Sequence, residues 1–472
     1  MKDSENTTSR RSWLKTTVSA GAAGVIGSAR AAATLPNILY IHSHDTGRYI
    51  EPYGFAAGTP NLLKLAQEGV TFRQAFSAAP TCSPSRASLL TGHCPHSNGM
   101  LGLAHRGFAL SNYKEHILHT LRAAGYYSAL VGIQHIANDP AVIGYDEVLE
   151  SPPYRSAFHA GPPAARVASA AGRLLQSKLR QPFFLDVGFF ETHREFPPVA
   201  SNRARNFSRP PVPIPDIPQT RLDFAGYEAS VRLLDDGVGE VLRALESAGL
   251  ADNTLVICTT DHGVAFPNMK CSLTTSGTGV YLVMRGPGGF RGGRVVDQLV
   301  GNMDLYPTVC DLAKVNHPEW LQGRSLLPLV LGKADKLHDE LFAEVNYHAA
   351  YEPKRSVRTP RWNYCVRFDD RTRPVLPNCD DSPSKLWWLE NGWQSRSIPK
   401  EELYDLVFDP NEVNNLAGDS SFGGTLNEMR GRLHRWMKDT ADPVMSGRVK
   451  APAGAVVNDP DGVSPNEPVQ PA

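Results

Sequence analysis

The stretch Thr81-Cys82-Ser83-Pro84-Ser85-Arg86-Ala87-Ser88-Leu89-Leu90-Thr91-Gly92 sets one cysteine among serines, a proline and an arginine. Pro84 and the small residues after it suit the first turn of a helix, which puts Cys82 at its N-terminal mouth. The positive end of the helix dipole favours an anion there, and Arg86 adds a fixed charge one turn on. A lone cysteine is usually a buried structural one, but these neighbours are not typical core. Four further clusters carry metal-ligating or acid–base side chains: His42, His44 and Asp45; His135; Glu191 and His193; Asp261 and His262. Carboxylates and imidazoles hold divalent cations, and histidine moves protons near neutral pH.

Each of these clusters follows an apolar, β-rich run. The runs are Asn37-Ile38-Leu39-Tyr40-Ile41, residues 126–131, residues 182–190 and Thr254–Thr260. Helical patterns separate them. One begins at Thr59-Pro60, has Leu62, Leu63, Leu65 and Ala66 as its stripe, and stops at Gly69. Another, over residues 227–247, places Val231, Leu234, Val238, Val241, Leu242 and Leu245 at helical spacing and reads as core packing. Strands alternating with helices predict an α/β fold with a large, mixed but mostly parallel sheet and helices on both faces. Such sheets bind ligands beyond the carboxyl ends of their strands, so the four clusters are expected to converge on one edge. A single histidine is as commonly structural as catalytic; four strand ends of one kind favour a site.

The 472 residues suffice for a large catalytic domain, expected over residues 32–340, and a smaller α+β subdomain over 341–445. The proline-dense stretch 208–220 reads as an extended surface loop, and residues 446–472 as a disordered tail. A formal net charge of +0 offers no field for nucleic acid or an anionic membrane. Seven cysteines in such a chain are no disulfide framework. Ser9-Arg10-Arg11-Ser12-Trp13-Leu14-Lys15, a mildly apolar stretch over 16–28 and Ala29-Arg30-Ala31 look like a twin-arginine signal peptide over residues 1–31. The run is too short and glycine-rich for a membrane anchor. The expected location is periplasmic or extracellular, reached in the folded state through the twin-arginine translocase.

Cys-x-Pro-Ser-Arg followed by Leu-Thr-Gly resembles the signature of type I, formylglycine-dependent sulfatases. Thr59-Pro60-Asn61-Leu62 resembles that family's helix start, and Glu402-Leu403-Tyr404-Asp405-Leu406 with Asp409-Pro410 and Asn415-Leu416 its C-terminal landmark. Within the family, Arg73-Gln74-Ala75-Phe76, Gly99-Met100 and Gly102-Leu103 are similar to the heparan N-sulfatase (sulfamidase) subgroup. So are Gly323-Arg324-Ser325-Leu326-Leu327-Pro328, Arg355-Ser356-Val357 and His434-Arg435-Trp436 before Asp442-Pro443. The resemblance implies an alkaline phosphatase-like sulfatase fold and a hydrolase that releases sulfate from a sulfated saccharide, as in glycosaminoglycan degradation. It implies that an installing enzyme oxidises Cys82 to formylglycine (3-oxoalanine).

The resemblance also implies a calcium ion held by Asp45, Asp261 and His262, with His44 where the family has a carboxylate, and by the modified residue 82. An imidazole there admits other divalent metals. Lys270 matches the family's sulfate-binding lysine, and His193 and His135 its active-site histidines. The implied mechanism has the hydrated formylglycine attack sulfur while the metal, Arg86 and Lys270 neutralise the sulfuryl oxygens. His193 or His135 then protonates the leaving oxygen or nitrogen. Ile133 stands where the family has another lysine, leaving His42, Arg355 or Arg358 as substitutes for the missing charge. Substrate selection is expected in loops around Tyr347-His348 and Trp387-Trp388. Two rival readings keep most of these residues: a phosphoesterase or phosphonate hydrolase of the same superfamily, and a sulfated-glycan-binding protein without turnover.

Overall fold

A computed structural model describes residues 35–152, 161–199 and 206–472. The expected signal peptide, with Arg10 and Arg11, lies outside the described residues.

Eight strands form the main sheet: β1 (Asn37–Ser43), β2 (Val70–Phe76), β3 (Tyr127–Gly132), β4 (Glu147–Leu149), β5 (Phe183–Gly188), β6 (Thr254–Thr260), β7 (Leu282–Arg285) and β8 (Arg294–Gly301). Their order is β4-β3-β5-β1-β6-β7-β2-β8. Only β7 runs antiparallel to its neighbours β6 and β2; the other pairings are parallel. The three strand ends carrying most of the candidate chemistry, β5, β1 and β6, are therefore adjacent at the centre, with β3 beside them. Gly188 allows the closest approach, since a Cβ there would lie 1.8 Å from the carbonyl oxygen of Ile133.

Strand periodicity decides which layer each residue feeds. In β1, Leu39 and Ile41 pack with helices α1 (Pro60–Glu68), α3 (Ala164–Gln176) and α4 (Pro218–Ser247), while Ile38 and Tyr40 face the opposite layer with Leu118, Leu121 and Val309. Each such fully buried aliphatic side chain contributes about 1.5–3 kcal/mol of transfer free energy. Helix α2 (Cys82–Thr91) is buried along its whole length.

A second, antiparallel sheet contains β9 (Leu341–Tyr347), β10 (Tyr351–Arg358), β11 (Trp362–Arg367) and β12 (Glu401–Asp405), covered by α5 (Gly423–Asp439). Residues 35–472 form one compact unit.

Two expectations need correction. Helix α4 begins at Pro218, inside the stretch read as an extended loop, because proline suits the first helical position and Thr220 Oγ1 accepts a hydrogen bond from the Ile217 amide at 3.2 Å. The added turns carry Asp223, which holds Arg194 through bonds of 2.7 and 2.9 Å. Residues 446–472 are not disordered: β13 (Val456–Asn458) pairs with β14 (Val469–Pro471). Ala455 and Val457 are buried in the main core and the Asn458 amide donates to Ala349, so a few apolar anchors order a proline- and glycine-rich segment.

Candidate active site

The backbone beyond β1 and β5 is zipped together. The His44 amide donates to the Glu191 carbonyl, the Thr192 amide returns a bond to the His44 carbonyl, and Thr192 Oγ1 donates to the same oxygen at 3.0 Å. Asp45 adopts φ 52° and His135 φ 54°, the left-handed region that side chains occupy rarely and functional sites tolerate. Beyond β6, Asp261 Oδ1 accepts from the Asp45 amide and from the His262 amide, each at 2.9 Å. Ser85 Oγ donates to the Asp261 carbonyl at 2.6 Å and fastens the start of α2 to this strand end. The Cys271 amide donates to the Pro80 carbonyl, which draws the loop bearing Lys270 to the same place.

These contacts bring the residues singled out in the sequence into one buried cluster. Cys82, at the first position of α2, has its Sγ 3.3 Å from His262 Nε2 and 3.8 Å from Asp45 Oδ1. Ligand atoms of His44, Asp45, Cys82 and Asp261 all lie within 4.8 Å of one another, as do those of His44, Cys82 and His135. His262 Nδ1 donates to the Gly263 carbonyl at 2.8 Å, which turns Nε2 toward Asp45 Oδ1 at 3.3 Å and Asp261 Oδ2 at 3.7 Å. Both ring nitrogens of His44 are buried without a hydrogen-bond partner among the described residues. This donor set fits a divalent cation.

Lys270 Nζ lies 2.9 Å from Asp45 Oδ2 and 3.0 Å from Asp380 Oδ2. Burial opposes its charge, but Asp380 and Asp45 outweigh that and hold its pKa well above the usual lysine range. Burial raises the Cys82 thiol, against the pull of Lys270. His193 Nδ1 donates to the Arg194 carbonyl at 2.6 Å, and its Nε2 stands 4.0 Å from Asp45 Oδ2. His135 stacks on His105, whose Nδ1 is 3.1 Å from His135 Nε2; burial, then His105, keeps His135 well below the ordinary histidine pKa.

Arg86 lies beneath the cluster. It is almost fully buried, and its guanidinium donates to Asp261 Oδ2 at 2.9 Å, to the Ser43 carbonyl at 2.7 Å and to His42 Nδ1 at 2.5 Å. His42 Nε2 in turn donates to Asp186 at 2.8 Å, which also accepts from Tyr145. This polar chain beneath the cluster orients Asp261. Burial lowers the His42 pKa despite Asp186, so His42 is a neutral link and does not replace the charge missing at Ile133. Arg355 is paired with Asp442 and Glu344, and Arg358 with Glu412, so neither supplies it. Glu191 Oε1 accepts from the Ala164 amide and caps α3.

The cluster opens into a cavity of about 100 Å³, lined by Cys82, His135, His193 and Lys270 together with residues the sequence pattern did not assign: His105, Arg106, Asp380 and Asp381. His348, from the loop expected to govern selection, lines it too, whereas Trp388 packs on Trp393 and neither Trp387 nor Trp388 lines it. Asp380 sits in a loop and Arg106 ends a single 3-10 turn, Ala104–Arg106, neither long enough for a periodic pattern; only its surroundings in space mark each. A second group of ligating side chains, His96, Glu344 and Asp442, is neutralised internally by Arg355. All seven cysteines are free and buried.

Comparison with known proteins matches residues 36–315 to the sulfatase family model and residues 271–386 to the model of the C-terminal region of N-sulphoglucosamine sulphohydrolase. The chain is 30% identical to human N-sulphoglucosamine sulphohydrolase, over 86% of this chain and 91% of that protein. It is 25% identical to a Bacteroides thetaiotaomicron Delta 4,5-hexuronate-2-O-sulfatase, over 90% and 93%. Its fold is similar to that of a protein solved in complex with its substrate D-glucosamine-2-N,6-O-disulfate, with TM-score 0.68 and 19% identity, covering 87% of this chain and 99% of the other.

Proposed function

This chain belongs to the sulfatase family and is a hydrolase of sulfuric ester or sulfamate bonds, and from that premise we propose that it removes sulfate from the end of a sulfated saccharide with Cys82 oxidised to formylglycine. The observation that carries the proposal is the position of Cys82, at the mouth of α2 within 3.3 Å of His262 and 3.8 Å of Asp45. Formylglycine supplies a hydrated aldehyde, with one hydroxyl to attack sulfur and a second whose deprotonation lets sulfate leave. A divalent cation, which the family resemblance makes calcium, suits Asp45 and Asp261 with His262 and His44 as nitrogen donors, and supplies charge against the sulfuryl oxygens.

The chain's own residues divide the remaining work. Lys270, steadied by Asp45 and Asp380, presents a fixed positive charge at the cavity floor. His193, on the cavity wall, is placed to deliver the proton to the departing oxygen or nitrogen, and His135, kept neutral by burial and His105, lines the same wall as a hydrogen-bonding partner. Arg86 positions Asp261 from below. The cavity of about 100 Å³ is below the usual size of ligand pockets at about 300 Å³ or more and suits the scissile sulfate group itself. The likeness to N-sulphoglucosamine sulphohydrolase favours N-sulfated glucosamine.

The partners are a formylglycine-installing enzyme and the twin-arginine translocase, and the destination is the periplasm or the exterior. Arg10-Arg11 and the mildly apolar stretch after them support this, and among the described residues no helix is long and apolar enough to cross a membrane. A panel of N- and O-sulfated saccharides, assayed for released sulfate with protein whose Cys82 peptide is weighed by mass spectrometry, tests the reading. Release that tracks aldehyde content is expected. Aldehyde-bearing protein that releases sulfate from none of them would overturn it.

A further inference from the structure

Arg106 is a buried cation in the cavity that no carboxylate answers among the described residues. It is 7% exposed. Nη1 donates to the Ala349 carbonyl at 3.4 Å and Nη2 to the Pro465 carbonyl at 3.3 Å, both long bonds, and the buried Nε has no acceptor among the described residues. Other buried cations near the site are matched: Lys270 by Asp45 and Asp380, Arg86 by Asp261, Arg194 by Asp223. Asp381 lines the same cavity, but Lys385 holds its Oδ1, and Ser464 and Asn466 donate to its Oδ2. Burial with no counterion pushes Arg106 down to about 10, which still leaves it charged at neutral pH.

A guanidinium desolvated by folding and left without an anion is stabilised when a ligand brings one. Its planar fork matches the paired oxygens of a carboxylate or a sulfate. The Pro465 carbonyl lies beside Nη2, and the clasp of Ser464 and Asn466 on Asp381 holds the segment that carries Pro465. We propose that Arg106 is a specificity residue that seats a second anionic substituent of the substrate, a carboxylate or a further sulfate, while the scissile sulfate lies at Cys82 and Lys270. The inference rests on the proposed saccharide sulfatase function and names a feature of its substrate.

Calorimetric binding to metal-loaded Cys82→Ala protein, which cannot turn over, tests this with three ligands. They are glucosamine N-sulfate, glucosamine 2-N,6-O-disulfate, and N-sulfated glucosamine linked to a uronic acid. At least one doubly anionic ligand is expected to bind about tenfold or more tighter than the single sulfate, and which one does separates sulfate from carboxylate. Adding Arg106→Gln should abolish that preference and leave affinity for the single sulfate within about twofold. Arg106→Lys, which keeps charge without the fork, should retain part of it and decides the matter if the glutamine variant melts early. Equal loss on all three ligands would overturn the inference, because Arg106 would then serve the scissile sulfate in place of the absent lysine. So would a parent protein without preference. Sulfate release by the unmutated enzyme is measured alongside: release without second-anion preference sinks only the role of Arg106, and no release sinks the function it rests on.

Discussion

Asp380 Oδ2 lies 3.0 Å from Lys270 Nζ, opposite Asp45 Oδ2 at 2.9 Å, so one buried ammonium is shared between two carboxylates from distant parts of the chain. Asp45 reaches the pair from β1 and Asp380 from the loop after β11. Asp380→Asn keeps the shape and withdraws the charge, leaving Lys270 free to swing toward Asp45. A loss of about 10- to 100-fold in kcat/KM is expected, with the fold intact by circular dichroism. An unchanged rate would show that Lys270 is held well enough by Asp45 alone.

Cys82→Ala is expected to abolish sulfate release while the protein melts as a single cooperative unit, since removing one buried sulfur costs little beside the buried core around α2. In active preparations the Cys82 peptide should carry the mass of the aldehyde. Full activity from protein with an unmodified thiol would sink the covalent mechanism.

Chelation should remove activity, and Asp45→Asn or Asp261→Asn should each weaken metal binding measured by calorimetry. His44→Asp exchanges a nitrogen donor for the oxygen that calcium prefers, so calcium is expected to bind that variant more tightly. Unchanged or weaker calcium binding would place His44 outside the coordination shell.

His116 caps the helix Ile117–Ala123, its Nδ1 accepting from the Leu118 amide at 3.1 Å, and burial pushes its pKa down to about 3 from 6.5. The folded-state value is depressed, so between pH 6.5 and about 3 the unfolded chain binds a proton that the folded chain refuses. Stability is therefore lost as pH falls through this window, by at most about 1.4 kcal/mol per pH unit from this group. His116→Asn keeps an acceptor for the cap and does not titrate. Urea unfolding at about pH 5 and about pH 7 should show a smaller difference for the variant than for the parent. Equal differences would mean that His116 is protonated in the folded state.

Replacing both Arg10 and Arg11 by lysine is expected to leave an active, aldehyde-bearing enzyme inside the cell, because the proposed twin-arginine route exports a folded chain after the proposed modification. Fractionation with mass spectrometry of the Cys82 peptide reads both points. Efficient secretion of the double variant would reduce the arginine pair to a basic arm.

The candidate site residues were legible because each follows an apolar strand or opens a helix. Asp45, His135, His193 and Asp261 close β-rich runs, and Cys82 precedes a proline that starts a turn, so local pattern fixes both element and position. Periodicity likewise assigned Leu39 and Ile41 to a buried strand. It did not reveal that β7 runs antiparallel, nor that residues 455–458 dock against Ala349, because both depend on contacts with chain far away in sequence.

Partner choice was settled only in three dimensions. The sequence marked Arg86 and Lys270 as cations near the candidate nucleophile Cys82 but could not say which would be spent on the protein. Packing buried Arg86 under Asp261 and His42, gave Lys270 a second carboxylate in Asp380, and left Arg106 with carbonyl oxygens alone among the described residues. A short run of residues fixes strand, helix and side-chain type, because those follow from local backbone preference and hydrophobic period. Which buried charge is answered, and which is left to meet a ligand, depends on distances between loops that no local pattern encodes.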